Sequence, residues 1–255
     1  MIDAQDYSSK YADQYHTQSF ETVMVEIRRD RVLASLQEHS CRRILEIGCG
    51  LEPLFPYLKD YEHYVIVEPS PEFVQHARSV ALATGKPEIR VIEGYFEELP
   101  KEIFAGDRFD MIILSSLLHE VPDPGALLQA IRQVTDEQTV VHINVPNVYS
   151  FHRLLALEMG LIASIDARSQ TEISFGRHTR FDRSKLITLV ENYGFDVLSS
   201  GSYFIKPFSH AQMERIIGAG IVDSAIVAGL AGMVKYLPDM GCEIFVDVRP
   251  GGHQR

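Results

Sequence analysis

The sequence predicts an α/β fold in which a seven-stranded, doubly wound parallel sheet is covered by helices on both faces. Apolar runs of the length of buried strands alternate with helical stretches along most of the chain. One of these runs, Ile44 to Ile47, ends in the glycine turn Gly48-Cys49-Gly50, and Pro53 can open a helix after it. The sequence has no internal repeat and no low-complexity linker, so the 255 residues are expected to form a single domain.

The predicted elements follow in chain order. A helix is expected over residues 7–38, where Tyr7, Tyr11 and Tyr15 recur every four residues and therefore share one face. Further helices are expected at 71–84 and 124–134. Strands are expected at 43–47, 63–68, 88–93, 109–114, 138–144, 195–204 and 242–248.

The glycine turn and the end of the second strand predict a nucleoside site. A turn of glycines brings bare backbone N–H groups close to a ligand, because no Cβ blocks the approach. The third glycine of the dinucleotide motif G-x-G-x-x-G is missing, and Glu46 lies inside the strand, which favours a ligand with a cationic amino group over a pyrophosphate. Glu68 ends the second strand at the spacing where an acid accepts hydrogen bonds from ribose hydroxyls.

With these motifs the chain resembles the class I S-adenosylmethionine-dependent methyltransferases. Ile44 to Gly50 is similar to their glycine loop, and Glu68 to their ribose-binding acid. Val91 to Pro100 is similar to the third-strand segment that holds adenine, and Phe109 to Pro124 to the fourth strand and its loop. The resemblance implies a Rossmann-like sheet in which the last strand is antiparallel and closes a hairpin.

The resemblance also implies that the cofactor is S-adenosylmethionine. Many relatives carry Asp where this chain has Tyr95, so the adenine is expected to contact the backbone or to stack on Tyr95 or Phe96. The tyrosines of the first helix either close on the sulfonium through cation–π attraction or pack that helix onto the domain. The expected cofactor-binding residues are Tyr11, Glu46, Gly48, Gly50, Glu68, Pro69, Gly94, Tyr95, Phe96 and Ser115.

Three segments exceed what the sheet needs. They are residues 1–40, 145–183 and 205–238, and segments of this kind tend to roof a site at the carboxyl ends of the strands. We therefore expect them to form a helical lid over the acceptor. The stretches VPNVYSFHRLLALEMGLI, GRHTRF and KPFSHAQM resemble a subgroup of methyltransferases found beside polysaccharide and natural-product genes.

Methyl transfer to a hydroxyl needs a group that removes a proton, and histidine or a carboxylate serves this role. His119 follows the fourth strand and is the first candidate, with Glu120 as its orienting partner; the alternative is that His119 only orients the loop. His178 is the second candidate, and its neighbours Arg177 and Arg180 either clamp an anionic acceptor or pair with local acids. Asn144, at the end of the fifth strand, is the third. His142 and His152 are expected to be structural, and no metal site is expected.

Three functions are compatible with these features. The leading one is methyl transfer to an oxygen or nitrogen of a small molecule, such as a sugar or natural-product scaffold. The second is a cyclase that converts the cofactor itself into methylthioadenosine and azetidine-2-carboxylic acid. The third is a non-catalytic module that binds S-adenosylmethionine. The missing third glycine disfavours a nicotinamide dehydrogenase.

Composition narrows the class of partner. A net charge of −11 without a basic cluster argues against nucleic acid. The three cysteines lack metal spacing and suggest a reducing compartment. The N-terminus does not resemble a signal peptide, and no uncharged apolar run is long enough to span a membrane, so a cytoplasmic location without membrane contact is expected. The expected partner is a small-molecule substrate, and a homodimer stays open.

Overall fold

The computed structural model describes residues 19–86, 88–167 and 179–252. Seven strands form one sheet in the order β3-β2-β1-β4-β5-β7-β6. The strands are β1 (Arg43–Ile47), β2 (His63–Glu68), β3 (Arg90–Glu93), β4 (Met111–Ser115), β5 (Val140–Pro146), β6 (Phe195–Tyr203) and β7 (Glu243–Pro250). The described helices are α1 (Ser19–Glu38), α2 (Pro71–Ala83), α3 (Pro124–Arg132), α4 (Phe151–Glu158), α5 (Arg183–Asn192), α6 (His210–Gly218) and α7 (Ser224–Gly232).

The sheet has the predicted topology. The strands β1 to β5 pair in parallel, whereas β7 runs antiparallel to both of its neighbours, β5 and β6. The strand order reverses between β1 and β4, and the carboxyl ends on either side of such a point leave a crevice in which ligands bind. The predicted strands are confirmed, although β3, β4 and β5 each begin two residues later than predicted, at residues 90, 111 and 140, and β5 and β7 continue to residues 146 and 250.

Apolar packing on both faces explains why the strands are almost continuously hydrophobic. Leu45 and Ile112 belong to the core on one face, whereas Ile44 and Ile113 belong to the core on the other. Successive side chains of a strand point to opposite faces, so a strand that is buried on both sides needs apolar residues at nearly every position.

Capped N-termini of two helices determine where the loops at the crevice end. Ser70 caps α2 by accepting a hydrogen bond from the Phe73 N–H at 3.4 Å, and Asp123 caps α3 by accepting from the Ala126 N–H at 3.0 Å. In each case a proline follows the cap, where its missing N–H costs nothing. The loops after β2 and β4 therefore end at defined positions.

Further helices pack together outside the sheet. They contact a small apolar cluster that joins α1 to α6, to the end of β6 and to the beginning of β7. The centre of this cluster is formed by Phe20, Met24, Phe204, Met213 and Cys242. The helices α1, α4, α6 and α7 belong to the three segments that the sequence assigns to a lid. Among the described residues, no helix is both long and apolar enough to cross a membrane.

Candidate active site

A large cavity lies at the carboxyl ends of the central strands. Its volume is about 1930 Å³. The glycine turn after β1, the end of β2 and the loop after β4 line it, together with α1, α4 and the beginning of α6. Residues from all three expected lid segments therefore line the cavity that the crevice opens into, although their closure over a ligand stays a prediction.

The glycine turn presents bare backbone to this cavity. Gly48 and Gly50 have φ values of +75° and +55°, a region that favours glycine. A Cβ at Gly48 would lie 3.3 Å from the Leu117 side chain, whereas a Cβ at Gly50 would meet no protein atom within 4 Å. Gly50 therefore leaves room for a ligand to approach the chain.

Glu68 lies beside this turn with its carboxylate held by two backbone amides. One oxygen accepts from the Gly50 N–H at 3.2 Å and the other from the Ser70 N–H at 2.9 Å. Burial raises the pKa of Glu68, and the hydrogen bonds from Ser70 and Gly50 oppose that shift. Each carboxylate oxygen can accept a second hydrogen bond, so Glu68 can bind the two hydroxyls of a ribose.

The Glu46 carboxylate is hydrogen-bonded to the loop that follows the glycine turn. Its carboxylate accepts from the Leu54 N–H at 3.2 Å and from the Tyr64 hydroxyl at 2.7 Å. Burial raises its pKa to about 7, against the lowering effect of both hydrogen bonds. Glu46 borders the cavity, but its two described partners make it a support of the loop between Gly50 and Leu54.

The turn after β3 forms another part of the cavity wall. Gly94 has a φ of +145°, and its N–H donates to the Glu68 carbonyl at 3.0 Å, which ties this turn to the end of β2. Phe96 is 2% exposed and packs against Phe104, with ring centroids 5.5 Å apart. Tyr95 is 41% exposed and lines the cavity, so its ring faces the space that a ligand could occupy.

The beginning of the loop after β4 is fixed by a buried polar chain. Ser116 has a φ of +56°, and its N–H donates to Asn144 Oδ1 at 2.9 Å. The Asn144 amide nitrogen donates to Ser115 Oγ at 3.1 Å and lies 3.2 Å from His142 Nε2. His142 Nδ1 lies 2.6 Å from Asp247 Oδ1. The fully buried Asn144 thus positions this loop and does not line the cavity, so the structure does not bring this candidate catalytic residue to the site.

His119, in contrast, lies in the cavity wall. Its side chain is 3% exposed, and its Nε2 lies 3.5 Å from Glu120 Oε1. Its backbone carbonyl accepts from the Thr179 N–H at 3.2 Å, which connects the β4 loop to the expected lid segment. An imidazole beside a carboxylate is an arrangement that can receive a proton and stabilise the resulting charge.

Another part of the cavity wall carries charged and titratable side chains from four elements and from the segment after β6. Arg28 lies on α1, His152 on α4 and His210 on α6, whereas Lys206 follows β6 and Glu243 begins β7. Burial lowers the pKa of His210 and, most strongly, that of His152, which falls to about 2. Sequence reasoning missed this wall. The one signal for it is a lysine inside the apolar stretch that follows β6.

A family model described as a methyltransferase domain matches residues 15–200. The chain belongs to this methyltransferase family. No curated protein sequence matches the chain. The predicted resemblance is thereby confirmed at the level of the family, whereas the subgroup beside polysaccharide and natural-product genes stays an expectation.

Solved structures of methyltransferases share the fold. One is a Thermotoga maritima S-adenosylmethionine-dependent methyltransferase described as a possible histamine N-methyltransferase (TM-score 0.60, 16% identity, 96% of this chain and 99% of that one). Another is the plantazolicin methyltransferase BamL in complex with a substrate analogue and S-adenosylhomocysteine (TM-score 0.59, 17% identity, 98% and 95%). The [4+2]-cyclase SpnF is also similar (TM-score 0.55, 18% identity, 83% and 76%). At these identities the likeness concerns the fold alone.

The family implies S-adenosylmethionine as the cofactor of this methyltransferase, and the residues present are compatible with it. The open face of Gly50 leaves space for a ligand that passes close to the backbone. Glu68 has acceptor capacity for ribose, and Tyr95 has an exposed ring for adenine. Pro69 and Ser115, two of the expected cofactor-binding residues, also line the cavity.

Two predicted site residues, Tyr11 and His178, lie outside the described part of the chain. Metal-binding side chains come together within the described ranges at Glu38, His39 and Asp247, none of which lines the cavity. Asp247 already accepts hydrogen bonds from Ser35 and Ser199, each at 2.8 Å.

Proposed function

We propose that this methyltransferase transfers the methyl group of S-adenosylmethionine to an oxygen or nitrogen of a small molecule, such as a sugar or a natural-product scaffold. The observation that carries the proposal is the size and continuity of the cavity, which at about 1930 Å³ extends from the glycine turn to the wall formed by α1, α4 and α6. Small-molecule sites usually enclose roughly 300–1,000 Å³. The cavity therefore has room for the cofactor and a separate acceptor.

The cofactor is expected to occupy the half of the cavity next to the sheet. The sulfonium of S-adenosylmethionine supplies a methyl group that is already activated. Glu68 would accept from the ribose hydroxyls, the backbone at Gly50 would lie against the ligand, and Tyr95 would cover the base. The main task of the remaining residues is to align the acceptor and to exclude water.

His119 is the proposed base. It lies in the loop after β4 and lines the cavity, and Glu120 can stabilise the imidazolium that forms when Nε2 or Nδ1 receives the acceptor's proton. Asn144 is buried beneath this loop, so its proposed contribution is to hold Ser115 and Ser116 in place.

The walls favour a small acceptor over a macromolecule. Apolar side chains that line the acceptor half come from helices on two sides, among them Met24 and Val25 on α1 and Leu155 on α4. A ligand in this half would be surrounded by α1, α4 and α6, whereas a large polymer would need an open groove.

The cyclase and the non-catalytic module are tested against methyl transfer by one experiment. Purified protein is incubated with S-adenosylmethionine, first alone and then with pools of sugars, nucleotide sugars and hydroxylated or amine-bearing small molecules, and the products are measured by mass spectrometry. S-adenosylhomocysteine that forms only when an acceptor is present supports methyl transfer. Methylthioadenosine released without an acceptor would establish the cyclase. A cofactor that binds but survives with every pool would favour the non-catalytic module.

A further inference from the structure

Lys206 is a half-buried cation in the cavity wall that lacks a close anion. It follows β6, lines the cavity, and its Nζ lies 6.0 Å from the centre of the buried Phe20 ring. Within the described residues, no carboxylate oxygen lies within 4.0 Å of this ammonium. The charges of Glu243 and Glu21 act on it from beyond this distance.

Arg28 already forms ion pairs with those two carboxylates. Its guanidinium lies 2.6 Å from Glu21 Oε1 and 3.9 Å from Glu243 Oε1. A carboxylate that is shared with a closer guanidinium attracts a more distant ammonium less strongly. Arg28 therefore has a carboxylate at close range, whereas Lys206 has none within 4.0 Å among the described residues and can bind a ligand anion.

His152 contributes a polar atom to the same wall. Its Nδ1 is buried and has no hydrogen-bond partner among the described residues. Burial and the nearby charges of Lys206 and Arg153 lower the pKa of His152, so its imidazole is neutral at physiological pH. A neutral imidazole offers one N–H donor without adding charge.

We propose that the acceptor carries a carboxylate, and that Lys206 and His152 bind it at the wall of this cavity. The inference rests on the proposed function, because it concerns the acceptor of that reaction. In the described part of the chain, Lys206 has no carboxylate within 4.0 Å and can therefore bind one negative charge at close range, whereas a phosphate dianion would add a second negative charge beside Glu21 and Glu243. One carboxylate oxygen would accept from Lys206 Nζ and the other from the His152 ring.

Burial supports the assignment to a ligand. It lowers the pKa of Lys206, which the neighbouring Cys242, Glu243 and Glu21 only partly restore. A bound carboxylate would favour the charged ammonium and raise that pKa again. A bound anion therefore stabilises the charged form of Lys206, whereas a neutral acceptor does not.

The test compares carboxylic acids with their primary amides. A panel of aromatic and aliphatic hydroxy acids, including 4-hydroxybenzoate, is titrated into the protein beside the matched amides, with and without S-adenosylhomocysteine. We expect at least one acid to bind about tenfold or more tightly than its amide. Lys206→Met should abolish this preference, and Lys206→Arg should keep most of it because it keeps the charge. The exposed Lys59 lies outside the cavity, so Lys59→Met serves as the matched control.

Equal binding of acids and amides by the wild-type protein would overturn the inference, as would a preference that survives in Lys206→Met. Absence of binding by every acid at millimolar concentration would also overturn it. The affinity for S-adenosylhomocysteine is measured in the same samples and tests the cofactor half separately. A protein that does not bind S-adenosylhomocysteine but prefers acids would contradict the proposed function and leave the carboxylate site standing.

Discussion

Replacing Gly50 with alanine tests whether the glycine turn is shaped for the cofactor. The added Cβ would meet no protein atom within 4 Å, so it causes no clash inside the folded protein. It does place an L side chain at φ +55°, in the left-handed region. Such a conformation costs about 1–2 kcal/mol for a residue with a Cβ, and the free energy of unfolding should fall by that amount.

Gly85 provides a matched control. It has a φ of +70°, a Cβ there would also meet no atom within 4 Å, and it does not line the cavity. Gly85→Ala should therefore reduce stability by a similar amount and leave cofactor affinity unchanged. Gly50→Ala should in addition weaken binding of S-adenosylhomocysteine by at least tenfold, about 1.4 kcal/mol, because the methyl group fills space that the ligand needs.

Two measurements decide the outcome. Urea unfolding gives the stability of both variants, and isothermal titration calorimetry gives their affinity for S-adenosylhomocysteine. If Gly50→Ala and Gly85→Ala lose the same stability and bind the ligand equally well, the turn does not approach the cofactor and the reasoning is refuted.

Three further predictions concern single acids and bases. Glu68→Ala should weaken cofactor binding at least tenfold by calorimetry, and unchanged affinity would exclude its ribose role. His119→Gln should lower kcat by about 10²–10⁴ with little change in cofactor affinity, and an unaltered kcat would place the base elsewhere. Since burial raises the pKa of Glu46 from 4.5 to about 7, the folded protein retains a proton that the unfolded chain loses as the pH rises through this window. Stability should therefore fall with rising pH by about 3 kcal/mol more in the wild type than in Glu46→Gln, and identical urea-unfolding profiles would contradict the shift.

The fold could be predicted because its signals are local in the sequence. Each buried strand is a short apolar run, and the turn Gly48-Cys49-Gly50 follows the first of them directly. The antiparallel position of β7 came from the resemblance to a family, since nothing within Glu243 to Pro250 specifies its direction. Boundaries shifted by two residues at β3, where Arg90 is the first residue to pair with β2.

The part of the cavity wall that contains Lys206 and His152 could not be predicted, because its signals are not local in the sequence. Lys206 and His152 are far apart in the sequence and line one cavity only because α4 and the end of β6 pack around it. Asn144 was expected at the end of the fifth strand, but β5 continues to Pro146, and the Asn144 side chain contacts Ser115 and His142 and does not line the cavity. Strand periodicity determines the face of the sheet to which a side chain points. It does not show whether a neighbouring residue on that face forms hydrogen bonds with the polar atoms of that side chain.

The buried hydrogen-bond chain from Asp247 through His142 and Asn144 to Ser116 has a direction, which is set by the position of the hydrogen atom on the His142 ring. Burial raises the pKa of Asp247, but hydrogen bonds from His142, Ser35 and Ser199 outweigh it and bring the pKa to about 2, so the carboxylate can only accept. His142 must then carry hydrogen on Nδ1, which leaves Nε2 as the acceptor for the Asn144 amide.

That orientation turns Asn144 Oδ1 towards the Ser116 N–H. Asn144→Asp would place a carboxylate oxygen, which is an acceptor, against the acceptor Nε2 of His142, although the Ser116 N–H would keep its second hydrogen bond, to the backbone carbonyl of residue 144, at 3.0 Å. The residues at 142, 144 and 247 therefore constitute one polarised unit, and the conformation of the β4 loop depends on side chains of the two neighbouring strands β5 and β7.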